Sequence, residues 1–170
     1  YRLDELLVQH FGDRAGLVLD LVSYMVAEGR NQGQYYPDYA YRHPLFSPGM
    51  RIYSDSTVSK FLSSVKDEQI AGFLNDWNTD RDHKSRIYVS YDSTNKNCQA
   101  GDVDFVEFGK AKVDLGLPIF NVGLAMDQNN RIPLFYELYP GSINDVSQFK
   151  FMVDKAVGYG YKNIGFIIDR

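Results

Sequence analysis

The sequence predicts an α/β protein in which a helical N-terminal region, residues 1–84, precedes a sheet-containing region, residues 85–170. Three observations support this fold class. Apolar residues recur at helical spacing up to residue 80, whereas short runs of β-branched and aromatic residues begin at Arg86. A polar stretch at 78–85, NTDRDHKS, separates the two patterns. The second region contains three strand-like runs, one helical segment and a fourth strand-like run.

Composition and charge exclude several classes of protein. The 170-residue chain is 44% hydrophobic and 24% charged, which is a globular composition. Its longest apolar segment, residues 16–27, is too short to span a bilayer. The single cysteine permits no internal disulfide, and the three histidines lie too far apart in sequence for a zinc site. The net charge of −4 is not typical of a nucleic-acid-binding domain.

Residues 3–80 are predicted to be mostly helical. A helix from Asp13 to Glu28 would carry a wide apolar stripe. A proline-rich segment with the run YYPDYAY predicts an irregular loop, whose tyrosines either pack in the core, the favoured reading, or stack on bases. Two short helices follow Asp55 and Lys66, and they form either a helical hairpin or a helix-turn-helix. The hairpin is favoured because the second helix is acidic. The stripe consists of Leu17, Val18, Leu21, Val22 and Met25.

Four strands are predicted in the second region, at residues 87–91, 119–126, 131–139 and 164–168. Residues 93–114 are polar and contain glycine, and they are predicted to form an excursion or a ragged hairpin after the first strand. Pro133 indicates that the third strand lies at a sheet edge or that the proline is close to the start of the strand. A helix capped by Asn144 or Asp145 precedes the fourth strand. One face of the third strand is predicted to consist of Ile132, Leu134, Tyr136 and Leu138.

Two of these strands end on an aspartate, Asp92 after the first and Asp169 after the fourth. Short links favour an antiparallel meander of the first three strands, so the first and third run in the same direction. The helix then returns the chain for a fourth strand parallel to the first. If the fourth strand pairs with the free side of the first, both carboxylates emerge at one end of the sheet. The alternative is that each aspartate only opens a turn.

Two neighbouring carboxylates repel each other unless a cation lies between them. Oxygen ligands of this kind suit Mg²⁺ or Mn²⁺, which accept phosphate oxygens as further ligands. Two such ions about 4 Å apart activate a water or a 3′-hydroxyl for attack on a phosphodiester. The strand pattern therefore predicts a metal site formed by Asp92 and Asp169.

Three stretches resemble the DDE transposases of bacterial insertion sequences. They are YDST at 91–94, GKAKVDLGLPIFNVGLAMDQNNRIPLFYELYPGSINDVSQF at 109–149 and GFIIDR at 165–170. More narrowly, they are similar to the cut-and-paste branch, which has a ribonuclease H-like catalytic core. The resemblance covers about half of the chain. It implies that residues 85–170 are the first half of a ribonuclease H-like fold.

The resemblance also implies a catalytic Asp, Asp and Glu triad that holds divalent metal. Asp92 and Asp169 match its first two members. The glutamate has no counterpart, because the chain stops one residue after Asp169, and an inactive fragment is therefore expected.

Lys110 and Lys112 match the lysine-bearing stretch of the family pattern, and they either contact DNA phosphates or lie on a solvated edge. Arg170 is expected to pair with the metal-site carboxylates or with the scissile phosphate of the DNA. One departure is Arg131, where the family pattern has glycine.

The function implied for the full-length protein is Mg²⁺- or Mn²⁺-dependent DNA transposition. Such an enzyme cuts double-stranded transposon ends by hydrolysis and joins the freed 3′-hydroxyls to target DNA. A homodimer located at the nucleoid in a bacterial cytoplasm is expected. Two alternatives remain open: a ribonuclease H-like nuclease of repair or recombination, and a non-catalytic DNA-binding or regulatory relic of a transposase. The acidic charge and the missing glutamate favour the relic.

Overall fold

The fold class predicted from the sequence is confirmed. The computed structural model describes residues 1–99, 103–109, 111, 116–143 and 145–168, with the backbone alone at 145, 146 and 168. The chain divides into two compact units, Tyr1–Trp77 and Asn78–Arg170. The first unit is helical, and the second contains a mixed sheet with a helix before its last strand. No described helix combines the length and apolar character needed to cross a membrane.

Helices account for the regular structure described in the first unit. A short 3-10 turn at Gly12–Arg14 joins the first two helices, so Asp13 lies in this turn and does not cap the second helix. Ser54 caps the fourth helix by accepting a hydrogen bond from the Thr57 N–H. The helices are α1 (Leu3–Phe11), α2 (Ala15–Glu28), α3 (Tyr36–Arg42), α4 (Asp55–Ser64) and α5 (Asp67–Thr79), which extends two residues past the unit boundary.

Tyrosines and aliphatic residues of α2, α3 and α4, together with Tyr53 from the segment before α4, form the core of the helical unit. Tyr36 and Tyr39, from the segment predicted to be a loop, are buried in it, which confirms the packing role but places them on a short helix. The predicted stripe on α2 is wrong at its outer edge, because Val22 and Met25 are exposed. The buried face of α2 instead includes Asp20, whose carboxylate accepts three hydrogen bonds from the 46–47 segment. The core residues are Leu17, Tyr24, Tyr36, Tyr39, Ala40, Tyr53 and Val58.

The second unit contains a four-stranded mixed sheet with the strand order β3-β2-β1-β4. The first three strands form an antiparallel meander, and β4 pairs in parallel with the free side of β1. This is the predicted topology. Pro133 lies near the start of β3, which is at an edge of the described sheet. The elements are β1 (Ile87–Asn97), β2 (Ile119–Asp127), β3 (Ile132–Pro140), α6 (Asp145–Gly158) and β4 (Ile164–Ile168).

The first strand is twice as long as predicted. It does not end at Asp92, because β1 continues through the polar residues up to Asn97. Each of these residues pairs with β2, from Asp92 opposite Leu124 to Asn97 opposite Ile119. Cross-strand pairing thus overrides the weak intrinsic strand preference of the polar run. The predicted excursion therefore starts too early.

A β-bulge interrupts the pairing between β2 and β3. Ala125 pairs with Phe135 and Met126 pairs with Pro133, so Leu134 is one extra residue on β3. Leu134 and Phe135 are consequently both buried. After the bulge, the odd-numbered residues of β3 face the side of the sheet that the even-numbered residues face before it. The predicted apolar face of β3 is therefore wrong beyond Leu134, since Leu138 is exposed.

Helix α6 covers one face of the sheet. Residues of alternate positions on β1 and β4 point toward it, including Val89 and Phe166, which pair across the two strands. The Phe149 ring of α6 meets the Phe166 ring edge to face at 5.1 Å. The buried cluster consists of Ile87, Val89, Tyr91, Ala125, Leu134, Phe135, Met152, Ala156 and Tyr161.

Candidate active site at the end of the parallel strand pair

Asp92 lies on the sheet face opposite α6. It is the sixth of the eleven residues of β1, and its side chain alternates with the buried Tyr91 and is exposed. Side chains of a strand point to opposite faces in turn. Asp92 therefore shares the open face with Ser90 and with its β2 partner Leu124.

The described parallel pairing of β1 with β4 extends to Tyr91, the residue immediately before Asp92. The pairs run from Ile87 opposite Ile164 to Tyr91 opposite Ile168. Asp92 is thus the next residue of β1 after the last described pair, and the strand continues beyond it. The prediction that Asp92 ends the strand is wrong. The prediction that Asp92 emerges beside Asp169 stays a prediction, because Asp169 lies outside the described residues.

The carboxylate of Asp92 is available to a ligand. Among the described residues it makes no hydrogen bond and no ion pair. Its surroundings on the open face are partly apolar, with Leu124 38% exposed and Ile167 46% exposed. An exposed carboxylate without a partner can bind a cation without first breaking an interaction within the protein.

The residues beneath Asp92 hold β1 in place. Tyr91 is 4% exposed, and its ring lies across Gly123 of β2. A Cβ at Gly123 would approach the Tyr91 Cε2 to 2.8 Å, so this close contact requires glycine. The Tyr91 and Tyr139 hydroxyls are 3.4 Å apart. Tyr91 of β1 therefore contacts both other strands of the meander, β2 and β3, and restrains the position of the next residue.

The other described carboxylates of the sheet have structural partners. Glu137 pairs with the Lys155 ammonium of α6, on the covered side of the sheet and away from Asp92. Glu107 accepts a hydrogen bond from the Ser142 hydroxyl. Asp127 is buried and closes the β2–β3 turn by accepting hydrogen bonds from two backbone N–H groups and the Asn130 side chain. Each of these three carboxylates thus has a partner within the protein, whereas no described residue forms a hydrogen bond or ion pair with the Asp92 carboxylate.

The remaining predicted site residues lie outside the described residues. These are Asp169, Arg170, Lys110 and Lys112, together with the helix-cap candidate Asn144 and the side chain of Asp145. Ile168, whose backbone pairs with Tyr91, immediately precedes Asp169 in the sequence.

The described residues supply one suitable ligand for a hard divalent cation. Asp92 offers carboxylate oxygens, the donor type that Mg²⁺ and Mn²⁺ prefer. Among the residues that the structure describes, no group of three or more His, Cys, Asp or Glu side chains is arranged to hold a metal ion. The donor chemistry of Asp92 thus fits the predicted metal, and a complete ligand set would need Asp169.

A buried polar network, which the sequence does not predict, fixes the start of this unit. The Asn78 side chain donates to the Leu134 carbonyl at the bulge and accepts from the Tyr161 hydroxyl. The Asn78 carbonyl accepts from Nε2 of His83, whose ring stacks on Tyr161. The polar composition of residues 78–85 indicates a linker, and the only local signal of irregularity in β3 is Pro133.

Comparison of the chain with protein-family models, with curated proteins and with solved structures gives no match. The observations that bear on function are therefore the topology of the sheet, the position of Asp92 and the motifs in the sequence.

Proposed function

We propose that this chain acts in DNA transposition, with the sheet-containing unit serving as the first half of a metal-dependent ribonuclease H-like core. One observation carries this proposal. In the last described pair of the parallel strands, Tyr91 and Ile168 each immediately precede an aspartate in the sequence, Asp92 and Asp169. The spaced motifs that resemble DDE transposases support the same assignment.

In this proposal Asp92 and Asp169 bind Mg²⁺ or Mn²⁺ and orient it toward a phosphodiester. Bound metal ions of this kind polarise the scissile phosphate and activate the attacking water or 3′-hydroxyl. The exposure of Asp92 leaves room for a DNA backbone to approach the carboxylate. The packing of Tyr91 against β2 holds the strand, so the carboxylate position is restrained before substrate arrives.

Lys110, Lys112 and Arg170 are proposed to contact phosphates of the transposon ends and target DNA. Such contacts release counterions, so binding would weaken steeply as salt rises. The third carboxylate of the site would come from a glutamate downstream in the full-length protein, which is proposed to act as a homodimer.

Paramagnetic broadening by Mn²⁺ tests the metal site in the chain itself. We expect substoichiometric Mn²⁺ to broaden the amide resonances of Asp92 and Ile168 selectively, because broadening falls steeply with distance from the ion. Asp92→Asn should abolish the selective broadening. Asp154→Asn, which removes an exposed carboxylate from α6, is the matched control and should leave it intact. Broadening that is the same in the wild-type chain and in Asp92→Asn contradicts the proposed site.

A DNA assay distinguishes the proposed reaction from its alternatives. With the downstream glutamate supplied in a full-length protein, transposon-end cleavage and strand transfer should both depend on Asp92. Cleavage without strand transfer would indicate a nuclease. DNA binding with neither reaction would indicate a non-catalytic relic.

A further inference from the structure

The helical unit contains a cleft whose lining is positively charged. The cleft has a volume of about 340 Å³ and lies between α4 and the turn that joins α1 to α2. Its lining includes the cations Arg14 and Lys60 and contains no acidic residue. Polar groups of the lining come from Thr57, Ser64 and Gln69.

The positive charges of Arg14 and Lys60 lie in a unit that carries a net negative charge. Residues 1–77 contain ten acidic and seven basic side chains. Within the described part of the chain, neither Arg14 nor Lys60 forms an ion pair with a carboxylate. Two uncompensated cations in a concave site concentrate positive potential and favour an anionic ligand.

The contacts that hold the cleft in shape do not neutralise its positive charges. The Arg14 guanidinium lies 5.2 Å from the ring centre of Tyr53, a residue only 6% exposed, so its position is restrained by stacking. Thr57, Lys60 and Ser64 follow one another at spacings of three and four residues, which places them on one face of α4.

Gln69, which lines the cleft from α5, is also held in place. The Gln69 side chain donates to the His10 carbonyl at 3.0 Å and accepts from the Lys66 N–H at 3.0 Å. His10 in turn contacts the Asp76 carboxylate at 2.7 Å. These bonds tie α1 to α5, so a ligand would meet a cleft that is already formed and would pay little ordering cost.

We propose that this cleft binds a phosphate group. A planar guanidinium presents paired donors that match phosphate oxygens, and a second cation balances the remaining charge. The hydroxyls of Thr57 and Ser64 can rotate to donate to further oxygens. The phosphate comes either from a small phosphate compound or from a nucleic-acid backbone. The site lies in the helical unit, and its existence does not depend on the proposed metal-dependent function.

Titration calorimetry of the whole chain with inorganic pyrophosphate tests the cleft. EDTA is present throughout, so the proposed metal site does not contribute to the result. We expect saturable binding, and Arg14→Gln and Lys60→Gln should each weaken it about tenfold, as loss of a charge-assisted hydrogen bond predicts. The matched controls Arg42→Gln and Lys162→Gln remove the same charges outside the cleft and should change affinity less than about twofold. Lys60→Arg keeps the charge and should retain binding.

A second titration, with a short fluorescent DNA duplex, identifies the source of the phosphate. If the cleft holds a nucleic-acid backbone, the two cleft variants weaken duplex binding and each lowers the salt dependence by about one phosphate contact. If it holds a small phosphate compound, only pyrophosphate binding weakens. Circular dichroism checks that each variant is folded. The proposal is overturned if the wild-type chain binds neither probe, or if the folded cleft variants bind both probes as tightly as the controls.

Discussion

Replacement of Asn78 by alanine should strongly destabilise the sheet-containing unit. The Asn78 amide bridges two buried groups, donating to the Leu134 carbonyl at 2.9 Å and accepting from the Tyr161 hydroxyl at 2.8 Å. Leu134 is 1% exposed and Tyr161 is 2% exposed, so water cannot replace the lost partner. Each buried group left without a hydrogen bond costs about 1–3 kcal/mol, which gives a loss of about 4 kcal/mol for Asn78→Ala.

Native-state hydrogen exchange of the β2 amides measures this loss, because protection of a central strand reports the opening of its unit. The bond from His83 to the Asn78 carbonyl is to the backbone and is not removed by the substitution. In a double-mutant cycle, Asn78→Ala and Tyr161→Phe should couple by about 1 kcal/mol.

The exposed Asn163 provides the matched control for Asn78. Asn163→Ala should change the exchange free energy by less than about 0.5 kcal/mol. An equally small effect of Asn78→Ala would show that the bridge contributes nothing, and the reasoning would fail.

Three further outcomes are expected. Gly123→Ala should cost about 1–3 kcal/mol in β2 exchange because the new methyl meets the Tyr91 ring at 2.8 Å, and Tyr91→Leu should recover part of the loss. Asp20→Ala should lower the free energy of unfolding of the helical unit by about 3 kcal/mol or more, followed by Trp77 fluorescence, because it removes the acceptor of three hydrogen bonds. A serine hydroxyl and backbone N–H groups of the following turn lower the pKa of Asp82 to about 2, so carbon-13 titration should find this carboxyl ionised at pH 3. Since its folded pKa is depressed, any stabilisation by Asp82 is present above about pH 4 and disappears as pH falls toward 2.

Much of the sheet was predictable because its signals are local. The run at 164–168 has the observed bounds of β4, and the short link at 128–131 favours the antiparallel pairing of β2 with β3. The polar half of β1 was not predictable in the same way, since residues after Asp92 become a strand through pairing with β2. The face exchange at Leu134 depends on the register between two strands, which residue spacing in one strand does not contain.

In the candidate sites, too, features with a local sequence signal were predictable, and contacts between distant segments were not. The exposure of Asp92 follows from strand alternation once Tyr91 is known to face the core. Asn78 and its partner Leu134 are 56 residues apart, and their contact leaves no pattern in either segment. The cleft likewise combines Arg14 with residues of α4 more than forty positions later, and only the folded unit brings them together.

The bulge at Leu134 also bears on how this sheet tolerates insertions and deletions. Leu134 is supernumerary in the ladder, since its neighbours Pro133 and Phe135 pair with consecutive residues of β2. Deletion of Leu134 would leave every flanking pair, and the face of each flanking side chain, as they are. It would remove a buried side chain and the carbonyl that receives Asn78. The extra residue in β3 is therefore required by the hydrogen bond from Asn78, at the start of the unit, to the Leu134 carbonyl. The pairing of β3 with β2 alone does not require it.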